Sequence, residues 1–391
     1  DQPFDSWVQP MQAAKWAMCG GHETFLQNLL QKYAYPAEDP EFRKMLLHHA
    51  ITSGHLKQTQ TLLHELETPL DPETLPIISF DYAILAAQHG QFNIYYWLTR
   101  TTTVSCKPHS RNELVKVLFA AAKFDNLQLV HYLIESPAAN KKRLKLELTT
   151  EFEDQDITLI ALNAGALKVL RYIYNKMPKL LERKVGPTQV QALHFAASAG
   201  KNTACILLVK EFKHDSQSQD SKGSYSIHCA ASSGNWSCYW LLVNEFFKDN
   251  PLLPNTQKET PLHYAALLGH YWFLKKALQY FGKEPFQVLT INDNTLLHNS
   301  ICAMRLPIVR LMVDEIGLDL RSKNCDGNTP LHYLAVMLTR SNKPNWQYLD
   351  DILNLYGVDL LHEENNSHKS VMSLLPPAIQ QKYQTGPALN L

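Results

Sequence analysis

The sequence repeats itself at a spacing close to 35 residues, and that period constrains the fold more than any other property of the chain. Thr260-Pro-Leu-His-Tyr-Ala-Ala-Leu-Leu-Gly-His270 recurs as Thr329-Pro-Leu-His-Tyr-Leu-Ala335, as Ala192-Leu-His-Phe-Ala-Ala-Ser-Ala-Gly200 and as Ser226-Ile-His-Cys-Ala-Ala-Ser-Ser-Gly234, with Thr295-Leu-Leu-His298 a weaker copy. Degenerate copies extend the pattern backward through Leu159–Gly165, Phe119–Asp125, Ala83–Gly90, His48–His55 and Ala17–His22. The residue taking the Thr slot then falls at positions 12, 45, 81, 116, 156, 191, 225, 260, 295 and 329, and successive steps are 33, 36, 35, 40, 35, 34, 35, 35 and 34.

The motif has a local physical meaning. Thr260 can cap a helix whose first residue is Pro261, where a missing N–H costs nothing because that donor has no intrahelical partner. Ala265 and Ala266 let this helix lie close to its neighbours, and Gly269 can take the left-handed conformation that ends it. Phe273, Leu274, Ala277 and Leu278 then recur at helical spacing, which predicts a second helix packed antiparallel on the first. Lys222-Gly223 and Asp326-Gly327 are turn signals just before a unit. One such helix pair cannot bury its own apolar face; stacking about ten of them can, and the expected shape is an elongated solenoid in one continuous domain.

On these residues the chain resembles the ankyrin-repeat family. His194, His228, His263, His298 and His332 occupy the histidine of the family's Thr-Pro-Leu-His signature. The resemblance implies an all-α ankyrin-repeat solenoid of stacked helix-turn-helix units, about ten repeats plus a C-terminal cap. Residues 1–190 hold about five degenerate repeats, 191–340 five well-matched ones, and 341–391 the last outer helix, carrying Tyr348, Leu349, Ile352 and Leu353, followed by the cap. In the cap, residues 369–375 resemble an incomplete repeat closed by Pro376-Pro377. Insertions are expected in the 116–156 step and after Thr339.

Lys+Arg and Asp+Glu number 37 each, so the formal net charge is zero. That balance argues against nucleic-acid binding. No apolar stretch approaches the roughly 18 to 20 residues a bilayer helix needs. Seven cysteines without CxxC spacing read as reduced thiols rather than a zinc site or disulfide frame. Glycine loops of the Walker or Rossmann type, HExxH, GxSxG and EF-hand patterns are all missing. The five repeated histidines are implied by the resemblance to bond backbone between adjacent units. Cys229 follows His228 directly and so points elsewhere on the helix, which argues against a catalytic dyad. Lys141-Lys-Arg-Leu-Lys145 is the dense basic run, readable as a nuclear-import signal, a phosphate contact or a solvated loop.

The expectation is a non-catalytic module that binds another protein, without cofactor, metal or membrane span, as a cytoplasmic monomer. The resemblance implies a concave face built from the residue before each Thr slot and the two before each Gly slot, including Val115, Ser224, Glu259, Asn294, Cys302, Ala303 and Asn328. Leu267, Leu268, Val336 and Met337 bring apolar side chains to that face, with Phe80 and Phe124 a second pair further back. Exposed apolar clusters of this kind mark partner contacts unless the cap or a loop covers them. Ile206, Trp240 and Trp272 fall where outer helices usually carry charge, so they define a second candidate surface or are partly buried between repeats. Two alternatives are a bacterial effector acting on a host protein from the host cytosol or nucleus, and an enzyme with its site in the first half or in the insertion after Thr339.

Overall fold

The computed structural model describes residues 40–67, 81–100, 110–135, 146–152 and 155–385, with Ala14, Trp16, Ala17 and Gly20 ahead of them. Two compact units divide between Leu181 and Glu182. The expected Phe80 contact and the basic run 141–145 lie outside the described residues.

In the first unit, helices pair as α1 (Pro40–Ser53) with α2 (Leu56–Glu67), α3 (Asp81–Gln88) with α4 (Phe92–Arg100), α5 (Arg111–Lys123) with α6 (Leu127–Glu135), and α7 (Ile157–Ala164) with α8 (Leu167–Lys176). The first helices of the last three pairs stack on one another through alanines: Ala83, Ala86, Ala87, Ala121, Ala122 and Ala161 are fully buried. Asp156 occupies the Thr slot as expected and caps α7 by accepting the Leu159 N–H at 2.9 Å. A two-residue antiparallel hairpin, β1 (Glu151–Phe152) with β2 (Gln155–Asp156), leads into that cap.

The template is displaced at two of the degenerate units. Helix α5 begins at Arg111 rather than near position 116, because Ser110 and Glu113 form a reciprocal capping box that the template does not contain. Val115 is therefore an interior residue of α5 and buried, not a contact residue of the face. Helix α1 likewise starts at Pro40, ahead of the slot at 45.

In the second unit the first-row helices are α9 (Ala192–Ser198), α11 (Ser226–Ser232), α13 (Pro261–Leu267), α15 (Leu296–Ile301) and α17 (Pro330–Arg340). Each is followed by a partner: α10 (Asn202–Ile206), α12 (Trp236–Phe246), α14 (Tyr271–Phe281), α16 (Leu306–Arg310) and α18 (Trp346–Tyr356). Consecutive first-row helices pack directly on one another. Fully buried Ala196, Ala197, Ala230, Ala231, Ala265 and Ala266 permit that approach, and Leu262, Leu297 and Leu331 are fully buried in the same helices.

The turns ahead of the helices form a backbone ladder. Thr256 N–H donates to the Lys222 carbonyl (3.1 Å), Ile291 N–H to Gln257 (2.8 Å), Cys325 N–H to Asn292 (3.1 Å) and Asn366 N–H to Asp326 (3.1 Å). An Asp or Asn five residues before the slot organises most of these turns from within. Asp220 Oδ1 accepts from the N–H groups of Lys222 and Ser224, Asn255 from Gln257 and Glu259, Asn324 from Asp326 and Asn328, and Asn365 from Ser367 and Lys369. The Asn365 turn belongs to the cap, so residues 363–385 form a reduced repeat. Its turn leads into a short helical turn at Met372–Leu374, and α19 (Pro377–Thr385) stands in the second row, with Lys382 and Tyr383 bound to Asp350 of α18.

The residue two before each slot takes positive φ: Gln189 (52°), Gly223 (72°), Lys258 (58°), Asp293 (58°), Gly327 (74°) and His368 (54°). Only glycine adopts this region without cost. A Cβ on Gly327 would also lie 2.6 Å from the backbone nitrogen of Asn366. Gly327→Ala is therefore expected to destabilise by about 2 kcal/mol, and Lys258→Gly, which relieves a strained side chain, to stabilise by about 0.5–1 kcal/mol. Urea denaturation of the two variants beside wild type checks both signs.

Candidate protein-binding surfaces

The five repeated histidines are frame, not chemistry. His194, His228, His298 and His332 donate Nε2–H to the carbonyls of Ser224, Glu259, Asn328 and Lys369, each in the next turn, at 3.0, 3.0, 2.9 and 3.1 Å. At His228, His263, His298 and His332 the other ring nitrogen, Nδ1, accepts the backbone N–H of the slot residue at 3.1 Å. Where that residue is threonine its hydroxyl adds a second bond, 2.8–3.0 Å long. Both bonds require the neutral ring, because the carbonyl only accepts and the N–H only donates. Burial reinforces this and pushes His228 and His263 down to about 4. A histidine held so cannot serve as a proton shuttle near neutral pH.

The remaining chemistry-bearing groups are similarly committed. Burial pushes the Cys229 thiol up to about 12 and raises Cys302 as well, which opposes thiolate formation at either. Among the described residues no group of three or more His, Cys, Asp or Glu side chains is placed to hold a metal ion. No helix among them is long and apolar enough to cross a membrane.

The first-row ends of the second unit carry exposed apolar side chains. Leu267 and Leu268, at the C-terminal end of α13, are 48% and 50% exposed. Cys302 and Ala303 follow at the end of α15, half-buried, and Val336 and Met337 on α17, also half-buried. The last pair sits inside α17 rather than at its end, because α17 has 11 residues where α13 has 7 and α15 has 6. The inserted residues thus lengthen a helix by about one turn. Part of the cap meets this helix: Thr339 Oγ1 donates to the Leu374 carbonyl at 3.1 Å. Between α15 and the overhang of α17 lies an open groove of about 930 Å³, lined by Cys302, Asn328, Tyr333, Val336, Met337 and Arg340 among others.

Polar residues hold the turn side of this face. Glu259 is half-buried, its carboxylate accepting from Asn255 Nδ2 at 3.0 Å. Ser224, expected on the surface, is buried: its hydroxyl bonds Tyr264 OH at 2.9 Å, so this position belongs to the packing between turns. The same relay recurs where Asn324 Nδ2 donates to Asn294 Oδ1 and Asn365 Nδ2 to Asn328 Oδ1. In the first unit, Phe124 is 50% exposed and stacks on His89 with ring centroids 6.3 Å apart.

The two tryptophans of the second candidate surface separate. Trp240 is half-buried in a cluster with Trp236 (5.7 Å) and Tyr280 (4.5 Å), whereas Trp272 is 74% exposed and its ring contact is with Tyr271 (5.2 Å). Ile206 is half-buried. Trp240 and Tyr280 stand 15 and 20 residues after their slots, positions held one repeat later by Lys275 and Glu315, whose ions meet at 2.6 Å. A tilted aromatic contact thus takes the place of an inter-repeat ion pair, which accounts for tryptophan at this position without invoking a ligand.

Residues 193–287 match the family described as ankyrin repeats, in three copies, spanning α9 through α14. None of the curated proteins searched matches the sequence. With the turn ladder, the paired helices and the Thr–His caps in place, residues 193–287 are ankyrin repeats, and the described residues of both units are built almost entirely of paired helices. Repeats of this family generally act as protein–protein interaction modules and are typically non-catalytic.

Proposed function

We propose that this chain binds another protein through the first-row face of its second unit, without catalysing a reaction. The observation that carries the reading is the exposed Leu267-Leu268 pair at the end of α13, continued toward α17 by Cys302, Ala303, Val336 and Met337. Adjacent apolar side chains of this size in water are characteristic of partner contacts. The frame beneath them is preorganised by the backbone ladder and the histidine caps, so binding orders little chain. Glu259 supplies a polar edge to the same surface. Phe124 is a secondary contact of the first unit, and Trp272 an accessory one on the second row. A cytoplasmic location and a monomeric state belong to the same proposal.

The test is affinity capture from cell lysate with wild type beside a Leu267→Arg/Met337→Arg double variant, both verified folded by circular dichroism. The expected result is a partner retained by wild type and reduced at least about tenfold on the variant, the loss of one to two buried apolar contacts. Equal retention by both proteins removes this face from the proposal.

A further inference from the structure

The groove between α15 and α17 has a charge polarity that specifies its occupant. Its apolar floor and wall come from Tyr333, Val336 and Met337, with Cys302 opposite. At one end, Asp326 sits exposed in the turn; at the other, Arg340 is the exposed last residue of α17. Among the described residues neither the Asp326 carboxylate nor the Arg340 guanidinium has a hydrogen-bond or ion-pair partner. The turn that carries Asp326 precedes α17 and Arg340 ends it, and the helix between them is about 16 Å long, 11 residues at 1.5 Å per residue.

Building on the protein-binding reading above, we propose that this groove takes an extended peptide segment of a partner, about five residues long, with a basic side chain at the Asp326 end, apolar side chains between, and a carboxylate at the Arg340 end. The length follows from the helix that walls the groove, since an extended chain advances about 3.3 Å per residue and about five residues cover the 16 Å of α17. A helix lying in the groove would present its own charges only 1.5 Å apart per residue and would need about eleven residues to reach both ends. The overhanging turn of α17 makes the wall: the six residues of α15 end before Val336, Met337 and Arg340 project past them. No other first-row helix of this unit has that length, which confines the groove to this step of the stack. Charge at each end supplies register and direction, while the apolar centre supplies affinity.

A random twelve-residue peptide library displayed on phage, selected on the full chain at low ionic strength, tests this directly. Wild type is expected to enrich peptides with a basic and an acidic residue separated by about five positions and bulky apolar residues between them. Arg340→Glu is expected to replace the acidic preference by a basic one, and Asp326→Lys the basic preference by an acidic one. Each swap should weaken a synthetic wild-type-selected peptide by about fivefold in fluorescence polarisation, the size of one exposed charge attraction turned into a repulsion. No enriched pattern, or a pattern that neither swap alters, overturns the peptide groove. A Leu267→Arg/Leu268→Arg variant, altered only outside this groove on α13, separates the two readings: if it still loses the captured partner while no peptide pattern is enriched, the protein-binding face stands and the peptide groove falls.

Discussion

Acidification from pH 7 to pH 4 is expected to unfold the second unit. In an unfolded chain a histidine titrates near 6.5. In the folded protein burial holds His228 and His263 at about 4, and lowers His194, His298 and His332 as well. Between pH 6.5 and 4 the unfolded chain therefore binds protons that the folded chain refuses, and stability falls as pH falls. At pH 4 the penalty is roughly 3 kcal/mol for each of His228 and His263, since every tenfold loss of proton affinity on folding is worth about 1.4 kcal/mol. Two such residues alone offset much of the 5–15 kcal/mol by which native domains are stable. Thermal melts monitored by circular dichroism from pH 7.5 to 4 should show the midpoint flat above about pH 6.5 and dropping steeply below it. A midpoint unchanged down to pH 4.5 would mean that the histidines are not locked between the turns.

The other large effect is expected at Phe273. Its ring is 2% exposed and meets Tyr239 edge-on at 4.9 Å and Trp236 at 5.1 Å, so it joins the aromatic cluster of α12 to the core of α14. Phe273→Ala removes those contacts and leaves a cavity that rigid neighbours on both sides cannot close, at a cost of about 3–5 kcal/mol. Phe273→Leu keeps most of the volume and should cost less than about 1.5 kcal/mol. Urea denaturation followed by tryptophan fluorescence reads both, and a loss below about 1 kcal/mol for the alanine variant would show that the cluster packs loosely.

How much of this was legible in the sequence differs from residue to residue. The Thr-Pro-Leu-His units and the closing glycines located the helices of residues 191–335, because capping and left-handed turns are local chemistry. The histidine role followed from the family resemblance, and the bonds from His228 to Glu259 and from His298 to Asn328 bear it out. The turn ladder went unread, although Asp220, Asn255, Asn324 and Asn365 recur five residues before the slot and signal it. Ser110 and Glu113 announced the true start of α5, and reading only the repeat template misplaced Val115 on the surface. Surface and interior at Ser224 could not be separated by spacing, since its burial depends on Tyr264 and Asn255 of the next repeat. The extra length near the end of α17 was visible as an insertion, expected after Thr339; the structure spends part of it in extending α17 to Arg340 and part in residues 341–345, a division that spacing does not fix.

The most direct test of the binding face is hydrogen exchange of the full chain, alone and saturated with its captured partner. Slowed exchange at 259–268, 300–304 and 325–341, with the second-row helices α12 and α14 unchanged apart from residues near Trp272, is the predicted result. Protection confined to residues 236–246 and 275–281, with 259–268 and 325–341 exchanging as in the free protein, would contradict it and move the binding surface to the opposite row.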